Sequence, residues 1–110
     1  MAGLNISRAH WQQMQEHVLR CLPEEACGLV AGNGRRTAQI YPVSNKLHSP
    51  VRFRMEENEQ LAAMIDLEQR EWEILAIYHS HPLGPAEPSP TDLAEFAFPG
   101  VFYLIWNCLS

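Results

Sequence analysis

The sequence is poor in basic residues and in long apolar runs, and each shortage argues against one class of partner. Eight Lys and Arg residues stand against thirteen Asp and Glu, which gives a formal net charge of -5 at pH 7. Binding to a phosphate backbone requires clustered Lys and Arg, so we expect no nucleic-acid partner. No apolar run approaches the roughly 20 residues that a membrane-spanning helix needs, so we expect no membrane partner either.

Cysteines are also scarce. Cys21, Cys27 and Cys108 form neither a C-x-x-C pair nor an even-numbered disulfide framework, which fits a reducing compartment. The N-terminal residues lack the charged and apolar segments of a secretory signal, so we expect a cytoplasmic protein. Cys27 is predicted to be a packed strand residue rather than a nucleophile, because no histidine adjoins it in sequence.

The length of 110 residues predicts one domain over residues 1–110, and the hydrophobic fraction of 46% is that of an ordinary globular protein. Helical and extended patterns alternate along the chain, which predicts an α/β fold. The expected elements are a helix capped by Ser7 and running to about 22, strands over 26–31, 37–43 and 51–55, a helix over 57–71, a strand over 74–80, a loop over 82–88, a short helix over 89–96 and a strand over 101–107.

Three local patterns make these expectations more specific. The pair Asn33-Gly34 predicts a hairpin between the first two strands. On the first helix, Trp11, Met14 and Val18 form an apolar stripe that should face the core. On the second helix, the corresponding stripe consists of Leu61, Met64, Ile65 and Leu67 or Glu68. The remaining histidines, His10, His17 and His48, are interpreted as surface or packing residues.

The segment His79-Ser80-His81-Pro82 carries the strongest functional signal. Residues i and i+2 of a strand point to the same side, so both imidazoles can reach one metal ion. Asp92 follows His81 after a segment rich in Pro and Gly and can fold back as a third ligand. Three protein ligands leave a fourth position open, which distinguishes catalytic zinc sites from structural ones. The rival interpretation of Ser89 and Asp92 is a helix N-cap and its partner, and both roles can hold together.

Metal-assisted hydrolysis also benefits from a general base. In Pro23-Glu24-Glu25-Ala26-Cys27-Gly28, an acidic side chain leads directly into an apolar strand. A carboxylate there can take a proton from a water made acidic by zinc and pass it to the leaving amine. Glu25 is preferred over Glu24 for this role, and the alternative is that Glu25 is a solvated loop carboxylate.

These residues together resemble the JAMM/MPN+ metalloproteases, and in particular their short prokaryotic members. The pattern of that family is a glutamate near the start, then His-x-His-Pro, six residues, Ser, two residues and Asp. This chain has Glu25, His79-Ser80-His81-Pro82, Ser89 and Asp92 at that spacing. The segments 23–29, 42–45 and 49–53 also resemble the prokaryotic pattern, so the likeness covers about residues 24–107.

The resemblance implies both a fold and roles for the site residues. The implied fold is a cytidine-deaminase-like α/β/α domain, with a mixed sheet flanked by helices. His79, His81 and Asp92 would bind one Zn²⁺ per chain, with a catalytic water as the fourth ligand. Glu25 would hold that water, and Ser89 would donate to the oxyanion of the tetrahedral intermediate.

The implied activity is that of a zinc metallopeptidase or isopeptidase acting at the C-terminus of a ubiquitin-like modifier or sulfur-carrier protein. Two alternatives stay open: a catalytically inactive scaffold of the same fold, and a DNA-repair-associated domain that shares the His-x-His-Pro loop. Family domains usually continue beyond the strand that residues 102–106 resemble, so the short C-terminus is either native or a truncation. The sequence leaves open whether the bond is peptide or isopeptide and whether the chain forms a homodimer.

Overall fold

The computed structural model describes residues 3–83 and 100–108, which form two helices and four strands. The predicted helix over 89–96 lies outside the described residues, as does most of the predicted loop over 82–88. The elements are, in chain order, α1 (Arg8–Cys21), β1 (Cys27–Asn33), β2 (Arg36–Val43), α2 (Glu57–Gln69), β3 (Glu73–His81) and β4 (Phe102–Asn107).

The four strands form one mixed sheet in the order β2-β1-β3-β4. Strand β1 pairs antiparallel with both β2 and β3, whereas β4 runs parallel to β3. The hairpin between β1 and β2 turns at Gly34 and Arg35, one residue later than predicted, because β1 continues through Asn33. The mixed sheet with helices confirms the predicted fold class.

Apolar residues cover both faces of the sheet, with one helix packed on each face. On one face, Met14 and Val18 of α1 cluster with Val30, Ala76 and Tyr78. The other face carries a second cluster, which consists of Cys27, Leu29, Val43, Phe53, Met55, Ala63 of α2 and Ile77. Since successive strand residues point to opposite faces, β3 sends Ala76 and Tyr78 to α1 and Ile77 to α2. This alternation agrees with the two faces predicted for β3.

Helix α1 begins and ends where the sequence predicts, but its buried stripe differs. The Ser7 side chain accepts a hydrogen bond from His10 N at 3.1 Å and caps the helix. Trp11 is 45% exposed and lies beside Trp106, with 5.1 Å between ring centroids, whereas His17 is buried. His17 Nδ1 lies 2.7 Å from the Tyr78 hydroxyl, and burial, followed by the charge of Arg20, lowers the pKa of His17. His17 is therefore a packing residue.

The strand predicted over 51–55 is wrong. Phe53 and Met55 are buried between more exposed neighbours, so the alternation exists, but the strand-type pairing of the segment within the described residues is one isolated bridge between Met55 and Asn45. The stripe predicted on α2 is also partly wrong, since Leu61 and Ile65 are about half exposed while Ala63 and Leu67 are buried. None of the described helices is long and apolar enough to span a membrane.

Candidate metal centre

Strand register brings the two halves of the predicted site together at one end of the sheet. Cys27, at the start of β1, pairs directly with His79 near the end of β3. Glu25 lies two residues before Cys27, just outside β1, and therefore at the same end of the sheet. One ligand atom from each of Glu25, His79 and His81 can be chosen so that all three lie within 4.8 Å of one another. Residues more than fifty positions apart in sequence thus converge on one point.

The spacing of the two imidazoles is compatible with their binding one metal ion. His79 Nε2 and His81 Nε2 are 3.1 Å apart. Two nitrogens each about 2.05 Å from a tetrahedral zinc ion lie roughly 3.3 Å apart, close to the observed distance. Nitrogen and carboxylate oxygen donors are also those that zinc binds in catalytic sites. The donor set and its spacing therefore fit a zinc ion.

The ring of His79 is held by an aromatic neighbour. His79 is fully buried, and its ring stacks on Phe53 with 4.7 Å between centroids and 23° between the ring planes. This contact restricts rotation of the imidazole about its Cβ–Cγ bond. The role of Phe53 was missed from the sequence, where its alternating apolar pattern indicated only a strand. His81 is partly buried and is the more accessible of the two histidines.

The two adjacent glutamates lie in different environments. Glu25 is 2% exposed, and it belongs to the group with the histidines. Glu24 is partly exposed, and its Oε1 lies 3.2 Å from His48 Nδ1 on the surface. The environment of Glu25 differs from that of a solvated loop carboxylate, which was the alternative interpretation of this residue.

Cys27 is close to the site but is not a member of the group. Its side chain is fully buried, and Sγ lies 3.5 Å from the Val43 carbonyl oxygen, to which it donates. Burial, followed by the proximity of Cys21 and Glu25, raises the pKa of Cys27 to about 12. This buried position and the bond to a backbone carbonyl are typical of a packing residue.

The other two predicted site residues, Ser89 and Asp92, lie outside the described residues. Their roles as oxyanion donor and third metal ligand stay predictions. Of the other histidines, His10 is partly exposed and bonds the Thr37 hydroxyl at 2.7 Å, and His48 pairs with Glu24.

The chain is similar to one known protein family and to several individual proteins. Residues 7–109 match the family described as prokaryotic homologs of the JAB domain. A probable TtuB-protein conjugate cleaving protease from Thermus thermophilus is 39% identical over 93 residues, covering 84% of this chain and 62% of that protein. A desampylase from Pyrococcus furiosus is 37% identical over 83 residues, covering 76% of this chain and 59% of the relative.

A third relative is the CysO-cysteine peptidase of Mycobacterium tuberculosis, 34% identical over 94 residues, which are 84% of this chain and 64% of that protein. The chain therefore spans about three fifths of the length of these relatives. Among solved structures, a protein from Desulfitobacterium hafniense superimposes with a TM-score of 0.81 at 36% identity, covering 93% of this chain and 73% of that one. A protein from Salinibacter ruber gives a TM-score of 0.71 at 32% identity, covering 94% and 72%.

Proposed function

The chain belongs to the prokaryotic homologs of the JAB domain, and on that premise we propose that it is a zinc-dependent peptidase. Its substrate is a ubiquitin-like modifier or sulfur-carrier protein, and the bond cleaved follows the C-terminus of that protein. The observation that carries the proposal is the convergence of Glu25, His79 and His81 within 4.8 Å at a buried end of the sheet. The named activities of the three relatives, all of them cleavage reactions, support the substrate class.

Each residue has one role in the proposed reaction. His79 and His81, together with Asp92, hold the metal, and Phe53 keeps the His79 ring in place. When bound, zinc supplies Lewis-acid polarisation of the scissile carbonyl and makes a water more acidic. Glu25 accepts the proton of the attacking water on its carboxylate and delivers it to the leaving amine. Ser89 donates a hydrogen bond to the developing oxyanion.

Burial of the site favours this proposal over an inactive scaffold. Burying a carboxylate beside two imidazoles costs free energy unless the groups are paired or bind a metal. A hydrolase needs a carboxylate beside its metal ligands, whereas a scaffold does not require one there.

Metal dependence provides the test of this function. The probe is a fusion in which a short reporter peptide follows the C-terminal residue of a ubiquitin-like sulfur carrier, with a lysine-linked conjugate of the same carrier alongside it. We expect the zinc-loaded protein to cleave at that junction. Removing the metal with a chelator should lower the rate by a factor on the order of 10² or more, and adding zinc should restore it.

Several outcomes would contradict the proposal. Full cleavage by the metal-free protein would exclude a zinc-dependent reaction. Stoichiometric zinc binding with no cleavage of either probe would favour the scaffold. Binding to duplex DNA that weakens steeply with salt would instead favour the DNA-repair-associated alternative. Comparing the fusion with the lysine-linked conjugate distinguishes a peptidase from an isopeptidase.

A further inference from the structure

The peptide group that follows Glu25 is held from both sides by side chains. The Glu25 carbonyl oxygen accepts a hydrogen bond from Asn45 Nδ2 at 3.0 Å. The Ala26 N–H donates to Ser80 Oγ at 2.8 Å. In addition, the Glu25 N–H donates to the Ser49 carbonyl at 2.8 Å. Three consecutive backbone groups around Glu25 are therefore fixed, and both side chains that hold the peptide group are buried.

Ser80 makes its contact from the face of the sheet opposite the metal centre. It lies between His79 and His81, and strand alternation turns its side chain toward α1. The Ser80 N–H donates to the Ala26 carbonyl at 3.1 Å, and Ser80 Oγ accepts from the N–H of the same residue. The strand that carries both histidines is thereby bound directly to the residue next to Glu25.

Asn45 organises the loop on the other side. Besides Glu25, its Nδ2 donates to the Arg52 carbonyl at 3.0 Å, and its Oδ1 accepts from Leu47 N at 3.0 Å and from Arg54 N at 3.2 Å. This loop also contains Phe53, which stacks on His79. One buried amide therefore connects the backbone of Glu25 to the residue that orients the first histidine.

We propose that Asn45 and Ser80 are positioning residues that clamp the Glu25–Ala26 peptide and so fix the Glu25 carboxylate relative to His79 and His81. This inference rests on the proposed function and adds two residues to the machinery. Both act through the backbone of Glu25, because fixing the N–H and C=O of a residue limits its φ and ψ and thus the direction of its side chain. A misplacement of about 1 Å in a general base can lower a rate about 10²-fold.

The principal test is Ser80→Ala, which removes the hydroxyl and leaves the β3 backbone in place. We expect kcat on the fusion probe to fall about 10-fold to 100-fold, with KM and zinc stoichiometry close to those of the wild type. Ser80→Thr keeps a hydroxyl at this position and should recover most of the rate. Asn45→Ala should lower kcat similarly, and the double variant should lose less than the product of the two single losses, because both act on one peptide group.

Thr37→Val is the matched control. Thr37 is also buried, and its hydroxyl bonds the N–H of Ser7 and the ring of His10 at the start of α1, away from the metal centre. This variant removes buried hydrogen bonds of the same kind without touching the Glu25 segment. We expect it to lower stability while leaving kcat within about twofold of the wild type.

Amide hydrogen exchange tests the clamp without requiring any cleavage. In the metal-free Ser80→Ala protein, exchange of the Ala26 amide should accelerate at least about tenfold relative to that of Leu29 in the middle of β1. In Thr37→Val the ratio of the two rates should stay unchanged. If the wild type cleaves neither probe, the proposed function is wrong, but the exchange rates still test whether Ser80 holds the Glu25–Ala26 peptide in place. The clamp is overturned if Ala26 and Leu29 accelerate equally, or if Ser80→Ala lowers kcat no more than Thr37→Val does.

Discussion

Glu25→Gln should lower the rate of cleavage by about 10² to 10⁴, the range that a general base contributes, while zinc stays bound at one ion per chain. The substitution keeps the size and shape of the side chain but removes its negative charge and its ability to act as a base. Glu25 is almost completely buried, so a base dissolved in the solvent does not easily reach its position and replace it. The measurements are kcat on the carrier fusion and zinc content by elemental analysis of the same sample.

The neighbouring residue offers a matched control for this prediction. Glu24→Gln makes the same chemical change one residue away, where the side chain pairs with His48 on the surface. Exposed pairs of this kind contribute little, so we expect wild-type activity and stability. If Glu25→Gln retained full activity, another group would have to be the base. If it lost zinc together with activity, Glu25 would be a metal ligand instead.

Gly28→Ala should destabilise the protein by about 2 to 3 kcal/mol, the upper part of the range for an overpacked core. Gly28 pairs directly with Tyr78 across the β1–β3 ladder, and a Cβ at this position would lie well inside the van der Waals radius of the phenol ring. The ring cannot move aside easily, because it is fully buried and its hydroxyl lies 2.7 Å from His17 Nδ1. Relief of the clash would require β1 and β3 to separate next to the metal centre.

Urea unfolding followed by circular dichroism measures this effect. Gly3→Ala is the control, because a Cβ added there meets nothing within 4 Å. We expect its unfolding midpoint to match that of the wild type. A Gly28→Ala protein whose free energy of unfolding lies within about 0.5 kcal/mol of the wild type would show that the core can absorb the methyl group, contrary to the packing described here.

The convergence of the histidines was predictable because strand periodicity is a strong local signal. His79 and His81 belong to a nine-residue strand whose alternation is maintained through Ile77. The placement of Glu25 against them depends on the pairing of β1 with β3, which periodicity cannot specify. The prediction of Glu25 therefore came from the chemistry that a hydrolase requires and from the family resemblance.

Other features could not be predicted because they depend on contacts between residues that are distant in sequence. The alternation of residues 51–55 is typical of a strand, yet its backbone pairing is limited to a bridge at Met55, while the Asn45 side chain binds the Arg52 carbonyl and the Arg54 N–H. On α2, apolar residues surround much of the helix, so the pattern indicated Leu67 but did not indicate that Ala63 would be buried in preference to Leu61. The burial of His17 depends on the hydroxyl of Tyr78, which is 61 residues away.

The central claim is that the end of β3 is a catalytic zinc site in which Glu25 is the base. The most direct measurement is a crystal structure of the zinc-loaded chain, with the ion located by anomalous diffraction at the zinc edge. We predict one ion about 2.0 to 2.1 Å from a nitrogen of His79 and of His81, with Asp92 as the third protein ligand and the Glu25 carboxylate one water away. An ion bound directly by Glu25, or no ion at these histidines in zinc-saturated crystals, would contradict the account.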